Sequence, residues 1–209
     1  SRYLHEVLDI YASDDATWYM NTDHQILFNG WFTNHNNKTP RAFNAIRPTY
    51  MTVEPSLSAI LSDESTYPLA DASGRPVNVQ AFAAGADNVS FVTDSFDNGR
   101  SVIWTMGRND NGQLGRGYQT TDANGVSATD TSRDPVQVYA PAASQPVDSR
   151  DLITLSGVVH AAPGESHNVF YMGDGSVFDV GLGTSGQLGN AANVTENLPV
   201  RVGDGNNNA

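Results

Sequence analysis

Two stretches of the chain end in the same four residues: Gly107–Gly115 reads GRNDNGQLG, and Gly181–Gly189 reads GLGTSGQLG. Each is followed, after a segment of variable length, by Pro-x-x-Val, at Pro135 and at Pro199. Two copies of one motif with similar surroundings indicate an internal repeat, which is typical of stacked structural units. The motif therefore sets the register in which the rest of the chain is interpreted.

The residues that precede each motif are similar as well. A patch of small residues, Ala83–Gly85 or Ala161–Gly164, leads into an apolar strand, which ends in a tight turn at Asp97–Gly99 or Asp174–Gly175. Asn-Gly and Asp-Gly favour hairpin turns because glycine adopts positive φ at little cost. A second apolar strand then reaches the motif, and the Pro heads a further strand. Each copy is thus predicted to hold about four short strands.

The same template fits the N-terminal part of the chain. Trp18–Met20 takes the place of the first hairpin strand, Ile26–Phe28 that of the second, and Gly30 that of the first glycine of the motif. Trp18 aligns with Phe91 and Phe170 in this comparison and is predicted to lie in the core. The end of the motif is degenerate here, since residues 34–36 read NHN.

Four-stranded units repeated in series are typical of β-propeller blades. We therefore predict an all-β fold of three propeller-like blades, which is an incomplete or partial propeller. The predicted segments are a degenerate blade over 1–50, an insert or linker with a possible short helix over 51–76, a blade over 77–140 with a long polar loop over 116–133, a blade over 151–203, and a flexible tail over 204–209.

The repeat resembles that of the regulator of chromosome condensation family, and its composition is closer to secreted bacterial members. The residues that carry the resemblance are Ala83, Ala84, Gly85, Trp104, Gly107, Asn109, Gly112, Gln113, Leu114 and Gly115 in the middle copy, and Ala161, Ala162, His167, Asp174, Gly175, Gly181, Gly186, Gln187, Leu188 and Gly189 in the last. The resemblance implies a seven-bladed β-propeller, of which three blades are present here. It implies a fold and not a function, since propellers host many activities.

We interpret the motif as structural. Its glycines permit backbone conformations in which a side chain would clash. Gln113 and Gln187 are expected to hydrogen-bond the loop backbone, and Leu114 and Leu188 to fill the gap between blades. A phosphate-binding loop is excluded, because no Gly-Lys-Ser/Thr follows either copy.

The composition excludes several classes of binding partner and site. The formal net charge is −12, from 23 acidic and 11 basic residues, and such a surface repels nucleic-acid phosphates. The chain has no cysteine, which excludes disulfides and thiolate metal sites. No apolar run reaches the roughly 20 residues of a membrane span, so membrane insertion is not expected. A single lysine, Lys38, together with excess aspartate, suits a secreted or salt-adapted protein, with lineage bias as an equal alternative, and we expect an extracellular or cell-surface setting.

Two loops, 31–37 and 116–133, are the candidate binding elements. Aromatic side chains recur in binding hot spots, although packing roles remain an equal alternative for these. The candidate binding residues are Trp31, Phe32, Asn34, His35, Tyr118 and Asp122. Asp122, Asn124 and Asp130 are weak candidates for Ca²⁺, with ordinary turn chemistry as the alternative. No other cofactor is predicted, and no catalytic residue is assigned.

The sequence thus favours a non-enzymatic binding or assembly module that presents loops on a propeller scaffold within a larger exported or cell-surface protein. Its expected partner is a protein, or other chains that complete the propeller, and a glycan is possible. One alternative is a structural subunit that oligomerises through open blade edges. The other is a carbohydrate-active propeller enzyme, against which the lack of a convergent catalytic set speaks.

Overall fold

The computed structural model describes residues 7–13, 16–22, 24, 26–32, 43–50, 79–94, 100–117, 132–141 and 152–203. Within these ranges the secondary structure is strand and turn, without a helix, and no helix long and apolar enough to cross a membrane occurs there. The insert predicted over 51–76 and the tail predicted over 204–209 lie outside the described residues.

Three four-stranded antiparallel sheets follow one another along the chain, each with its strands in sequence order. The first sheet consists of β1 (Val7–Ala12), β2 (Ala16–Asn21), β3 (Ile26–Phe32) and β4 (Phe43–Tyr50). The second consists of β5 (Val79–Ala84), β6 (Asn88–Thr93), β7 (Val102–Gly107) and β8 (Ser132–Gln137).

A short two-stranded sheet, β9 (Tyr139–Pro141) and β10 (Leu152–Thr154), connects the second sheet to the third. The third sheet consists of β11 (Val158–Pro163), β12 (His167–Met172), β13 (Val177–Gly181) and β14 (Glu196–Arg201). This is the all-β, blade-like architecture that the repeat predicts.

The three sheets share one register. Gly30 pairs with Ala16, Gly107 with Asn88, and Gly181 with His167, so the first glycine of each repeat lies at the same place in its hairpin. Residues at equal distances from these pairs are therefore structurally equivalent in the three blades.

Trp18 is core, as predicted, but its alignment with Phe91 is wrong by one residue. Counting from the paired glycines, Trp18 is equivalent to Ser90, and its neighbour Tyr19 is equivalent to Phe91. Side chains alternate between the two faces of a strand, so Trp18 and Phe91 lie on opposite faces of their blades. They enter the same core because the face of the first sheet that holds Trp18 packs on the face of the second that holds Phe91.

Proline lies within the last strand of its blade and not at its head. Pro135 stands inside β8, which begins at Ser132, and Pro199 stands inside β14, which begins at Glu196. Both are edge strands of their sheets. An edge position tolerates proline because one side of the strand has no ladder hydrogen bond to lose.

Two apolar cores hold the blades together, one at each junction. The first contains Ala16, Trp18, Met20 and Ile26 of the first sheet, with Val79, Phe82, Val89, Phe91, Val102, Trp104 and Met106 of the second. The second contains Val92, Ile103 and Val138, with Leu155, Val158, Ala161, Phe170, Met172 and Val180. The second sheet therefore packs on both faces, and every residue of β6 and β7 is buried.

The third sheet carries a carboxyl group where the second carries a hydroxyl. Thr105 Oγ1 donates a hydrogen bond to the main-chain carbonyl of Leu114, 2.8 Å away, and Asp179 occupies the equivalent position before Gly181. Burial raises the pKa of the Asp179 carboxyl to about 7, although the Val180 N–H donates to its Oδ1 at 2.8 Å. The ionised carboxyl thus destabilises the folded chain.

Truncation of Phe91 tests the first core. Phe91→Ala removes a fully buried ring and is expected to lower the free energy of unfolding by about 3–5 kcal/mol, measured by urea denaturation. The matched control is Gln80→Ala, at an exposed position of the same sheet, which should change it by less than about 0.5 kcal/mol. Equal effects of the two substitutions would contradict this core.

Replacement of Asp179 tests its ionisation. Its pKa in the folded chain lies above the ordinary value of 3.8, so stability present at low pH is lost as the pH rises through about 7. Compared with the wild type, Asp179→Thr should gain free energy of unfolding progressively between about pH 4 and about pH 7 and nothing further above that, because Asp179 is then ionised in both the folded and the unfolded chain. Asp174→Asn, at an exposed turn position, is the control and should show no such gain. A constant difference between Asp179→Thr and the wild type across this range would refute the assignment.

Candidate functional site

The repeat motif forms a loop that leaves β7 abruptly. Gly107 has φ +112, and a Cβ there would lie 2.0 Å from the main-chain oxygen of Asp87. The next residue, Arg108, donates its backbone N–H to that same oxygen at 2.9 Å. Only glycine fits this close approach of two backbones, so the first motif glycine fixes where the loop departs from the sheet.

Buried side-chain hydrogen bonds hold the loop in one conformation. Asn109 Oδ1 accepts the backbone N–H of Leu114 at 2.8 Å, and Gln113 Oε1 accepts that of Asn111 at 2.9 Å. Leu114 is fully buried. Buried polar groups that are satisfied in this way define one conformation of a segment, so the motif forms a rigid loop.

The last copy of the motif uses part of the same scheme. Gln187 Oε1 accepts the backbone N–H of Ser185 at 2.8 Å, and Leu188 is fully buried. Gly183 replaces the motif asparagine, and a Cβ there would lie 1.8 Å from the main-chain oxygen of Val194. Close backbone packing therefore substitutes for the asparagine hydrogen bond in this copy.

The motif loop of the second blade also contacts the third blade. Asn168 Nδ2 donates to the main-chain oxygen of Gln113 at 2.7 Å, and both residues are buried. Gly117 donates its backbone N–H to the oxygen of Asn197 at 2.9 Å. At Gly112, φ is +73 and a Cβ would lie 2.6 Å from the Cβ of Asn197, so the glycine admits the neighbouring blade.

A second amide crosses the junction in the opposite direction. Asn88 Nδ2 donates to the main-chain oxygens of Gly164 and Glu165, at 3.1 and 3.2 Å. Asn88 is equivalent to His167, the position at which the resembled family has histidine. Two side-chain amides thus join the second and third blades through main-chain carbonyls.

A cluster of charges lies beside this junction. Arg108 forms a bidentate pair with Asp110, with N–O distances of 2.8 and 2.7 Å, and also lies 3.7 Å from Asp87 and 3.8 Å from Glu165. The hydrogen bond to Asp110 raises the pKa of Arg108. Burial opposes ionisation of Asp110, but its hydrogen bond with Arg108 holds the pKa of the carboxyl below its ordinary value. Three carboxylates therefore surround one guanidinium, and the cluster is negative.

Contacts at the end of the sheets away from the motif loops show that the blades share one orientation. His24 Nδ1 lies 2.6 Å from the main-chain oxygen of Val79, and it must donate because a carbonyl oxygen only accepts. Ser101 Oγ makes the equivalent hydrogen bond to the oxygen of Val158. Each donor lies at the start of a third strand and each acceptor at the start of the next blade, so like ends of the sheets meet.

The equivalent turns and loops of the three blades therefore lie at one end of the sheets. We call this end the loop rim; its described residues are Ser13, 85–87, 108–117, 164–166 and 182–195. The strands that flank both predicted binding loops also end there, because those loops join β3 to β4 and β7 to β8. The two loops chosen from sequence thus both connect the third strand of a blade to its fourth, but Trp31 and Phe32, predicted to lie in the first loop, belong to β3 instead.

The predicted binding residues are described only in part. Trp31 and Phe32 form the end of β3, where their backbones pair with Asn44 and Phe43. The others lie outside the described residues: Asn34, His35, Tyr118 and Asp122, together with the remaining Ca²⁺ candidates Asn124 and Asp130. In the part of the chain that the structure describes, no group of three or more His, Asp or Glu side chains is arranged to hold a metal.

The sequence analysis missed the charge cluster and the two bridging amides. Arg108 and Asp110 lie two residues apart inside the motif, and this spacing of opposite charges could have indicated a local ion pair. Asp87 and Glu165 come from other turns, and only the stacking of the blades brings them to Arg108. Asn168 gave no signal, since the equivalent residue of the second blade is Val89.

Comparison with known proteins agrees with the repeated four-stranded blades described above. Residues 102–171 match the model of the Regulator of chromosome condensation (RCC1) repeat. No curated protein matches the chain in sequence.

Two solved structures resemble the fold. Human WBSCR16 superposes with a TM-score of 0.58 at 19% identity, over 97% of this chain and 39% of its own. Prp20p from Saccharomyces cerevisiae, a structure described with its binding to Gsp1p and histones, gives a TM-score of 0.54 at 18% identity, over 95% of this chain and 37% of its own. The chain thus spans less than two fifths of either protein.

The shared register of the three sheets, the two motif loops and the family match over residues 102–171 all indicate the same repeat. Residues 102–171 match the regulator of chromosome condensation repeat, and the three sheets of the chain are blades of a partial β-propeller.

Proposed function

We propose that the chain is a non-enzymatic protein-binding module whose partner docks on the loop rim. The observation that carries this proposal is the rigid motif loop. Asn109, Gln113 and Thr105 fix it from beneath by buried hydrogen bonds, while the exposed Asp110 stands on its surface. A preformed surface binds at a lower cost in conformational entropy than a mobile one.

The charge of the rim indicates the partner's chemistry. The described rim residues carry three carboxylates, Asp87, Asp110 and Glu165, against two guanidinium groups, Arg108 and Arg116, and the whole chain carries a formal charge of −12. Complementary charge steers association and suppresses wrong partners. A protein with a basic surface therefore fits this rim, whereas a nucleic acid would be repelled.

The solved relatives support a protein as the class of partner. Prp20p is described as binding Gsp1p and histones, and neither name is transferred to this chain, which covers only 37% of that protein. We place the module within a larger protein at the cell surface or outside the cell. The single lysine among the 11 basic residues supports that setting.

Site-specific photocrosslinking tests the proposal. A benzoylphenylalanine at position 165 places the crosslinker on the rim, where the Glu165 side chain is 74% exposed. Incubated with extract of the source cells, it should yield a discrete adduct with a protein. Because the partner is expected to be basic, the adduct should weaken as salt screens the charges, and unlabelled chain should compete it away.

The control places the same crosslinker at position 22, in the exposed turn between β2 and β3 at the opposite end. It should give no such adduct. An adduct of equal yield from position 22, or none from position 165, would overturn the rim as the binding surface.

A further inference from the structure

Three buried polar side chains lie at the junction of the second and third sheets. Asn88 and Ser90 are on β6 and Asn168 is on β12, and all three are 0% exposed. Side chains two residues apart share a face of a strand, so Asn88 and Ser90 share a face with Val92. Asn168 shares a face with Phe170, and both apolar residues belong to the second core. The three polar side chains therefore enter one junction from both of its sheets.

The hydrogen bonds of the two asparagines fix the orientation of their amides. Asn88 Nδ2 donates to the main-chain oxygens of Gly164 and Glu165. Asn168 Nδ2 donates to that of Gln113. Because a carbonyl oxygen only accepts, each amide must turn its nitrogen toward these groups. The atom left over in each amide is Oδ1, which is purely an acceptor.

These two acceptors and the Ser90 hydroxyl are unsatisfied. Among the described residues, Asn88 Oδ1, Ser90 Oγ and Asn168 Oδ1 have no hydrogen-bond partner. A buried polar group without a partner carries its full desolvation cost, and nearly all such groups in folded proteins are paired. The amide oxygens accept, whereas the hydroxyl can also donate. A group that donates twice and accepts once would therefore satisfy all three.

The motif loop of the second blade brings the Asn168 amide and the Ser90 hydroxyl to the same part of the junction. Asn168 donates to the carbonyl of Gln113. Thr105 Oγ1 donates to the carbonyl of the next residue, Leu114, at 2.8 Å. Ser90 is the cross-strand partner of Thr105, and the Cβ atoms of such partners lie about 4.5–5.5 Å apart. Polar groups of both sheets thus meet at two consecutive carbonyls of one loop.

The junction of the first and second sheets is apolar at the three equivalent positions. In the order Asn88, Ser90 and Asn168, the equivalents are Ala16, Trp18 and Val89. All three belong to the first core. Where the first junction holds the Trp18 ring, the second holds only the small side chain of Ser90. The second junction therefore has less side-chain bulk at this place and more polar atoms.

We infer that the junction of the second and third sheets binds one internal water molecule, which bridges Asn88 Oδ1, Ser90 Oγ and Asn168 Oδ1. The water donates one hydrogen to each amide oxygen and accepts the hydroxyl hydrogen. Buried waters typically make about three hydrogen bonds to otherwise unsatisfied groups. The water holds the amide that supports the Gln113 carbonyl, so it supports the motif loop from beneath. This site goes beyond the proposed function and does not depend on a partner at the loop rim.

A monovalent cation is the alternative ligand for three oxygens. A buried ion needs a compensating charge, and the three side chains that form this site are neutral. A cation also offers no hydrogen to the two amide oxygens and no acceptor to the hydroxyl. Water is therefore the ligand that suits the site.

A crystal structure of the chain tests the inference directly. One ordered water is expected with its oxygen about 2.7–3.2 Å from each of the three atoms. A map without a peak that contacts all three would overturn the inference. Crystals soaked in rubidium chloride distinguish water from a cation, because rubidium scatters anomalously. An anomalous peak at this position would overturn the inference as well.

Replacement of Ser90 tests the same site in solution. Ser90→Val removes the hydroxyl, and its methyl groups displace the water, so both amide oxygens lose their donor. The urea midpoint of unfolding should therefore fall below that of the wild type. Without a bound water, both amide oxygens would already be unsatisfied in the wild type. Valine would then only replace an unsatisfied hydroxyl by apolar groups, and the midpoint would stay or rise.

Ser90→Thr is the matched control, because threonine has the shape of valine and keeps a hydroxyl. Its urea midpoint should exceed that of Ser90→Val. A valine variant as stable as the wild type, or as the threonine variant, would contradict the bridging water. If neither variant folds, the crystal structure of the wild type remains a complete test.

Discussion

The buried hydrogen bond from the Asn168 amide to the main-chain carbonyl of Gln113 fixes how the motif loop of the second blade meets the third blade, at a junction that an apolar core holds together. It is buried, and an unpartnered carbonyl there would carry a desolvation cost. The motif aims this carbonyl at the next blade, because Asn109 and Gln113 fix the loop and Leu114 anchors it. The motif loop therefore ends the second blade and also forms part of the surface on which the third blade packs.

Most of the fold was predictable from the sequence because its signals are local. The glycine motif gave the register, and the hairpin turns gave the strands that the structure contains. The alignment of Trp18 with Phe91 was wrong by one residue, and in a strand a shift of one residue moves a side chain to the other face. Pro199 was placed at a strand start because the sequence does not reveal which strand lies at an edge.

The site was less predictable because its parts come from separate turns. Arg108 meets Asp110 within the motif, but it meets Glu165 only after two blades stack. Asn88 and Asn168 bind main-chain carbonyls, and any residue type provides a carbonyl, so no sequence pattern marks the acceptor. The two candidate binding loops at the loop rim were identified from the sequence. The contacts between the second and third blades, which support the rim, are visible only in the packed structure.

The most direct measurement is the free energy of unfolding of Asn168→Val. The second blade has Val89 at the equivalent position, so valine suits the sheet itself and the change isolates the junction. We expect a loss of about 1–3 kcal/mol, with the third blade unfolding before the second in a separate transition. Asn193→Ala, at an exposed position, should unfold like the wild type. An Asn168→Val variant with wild-type stability and a single transition would contradict the account.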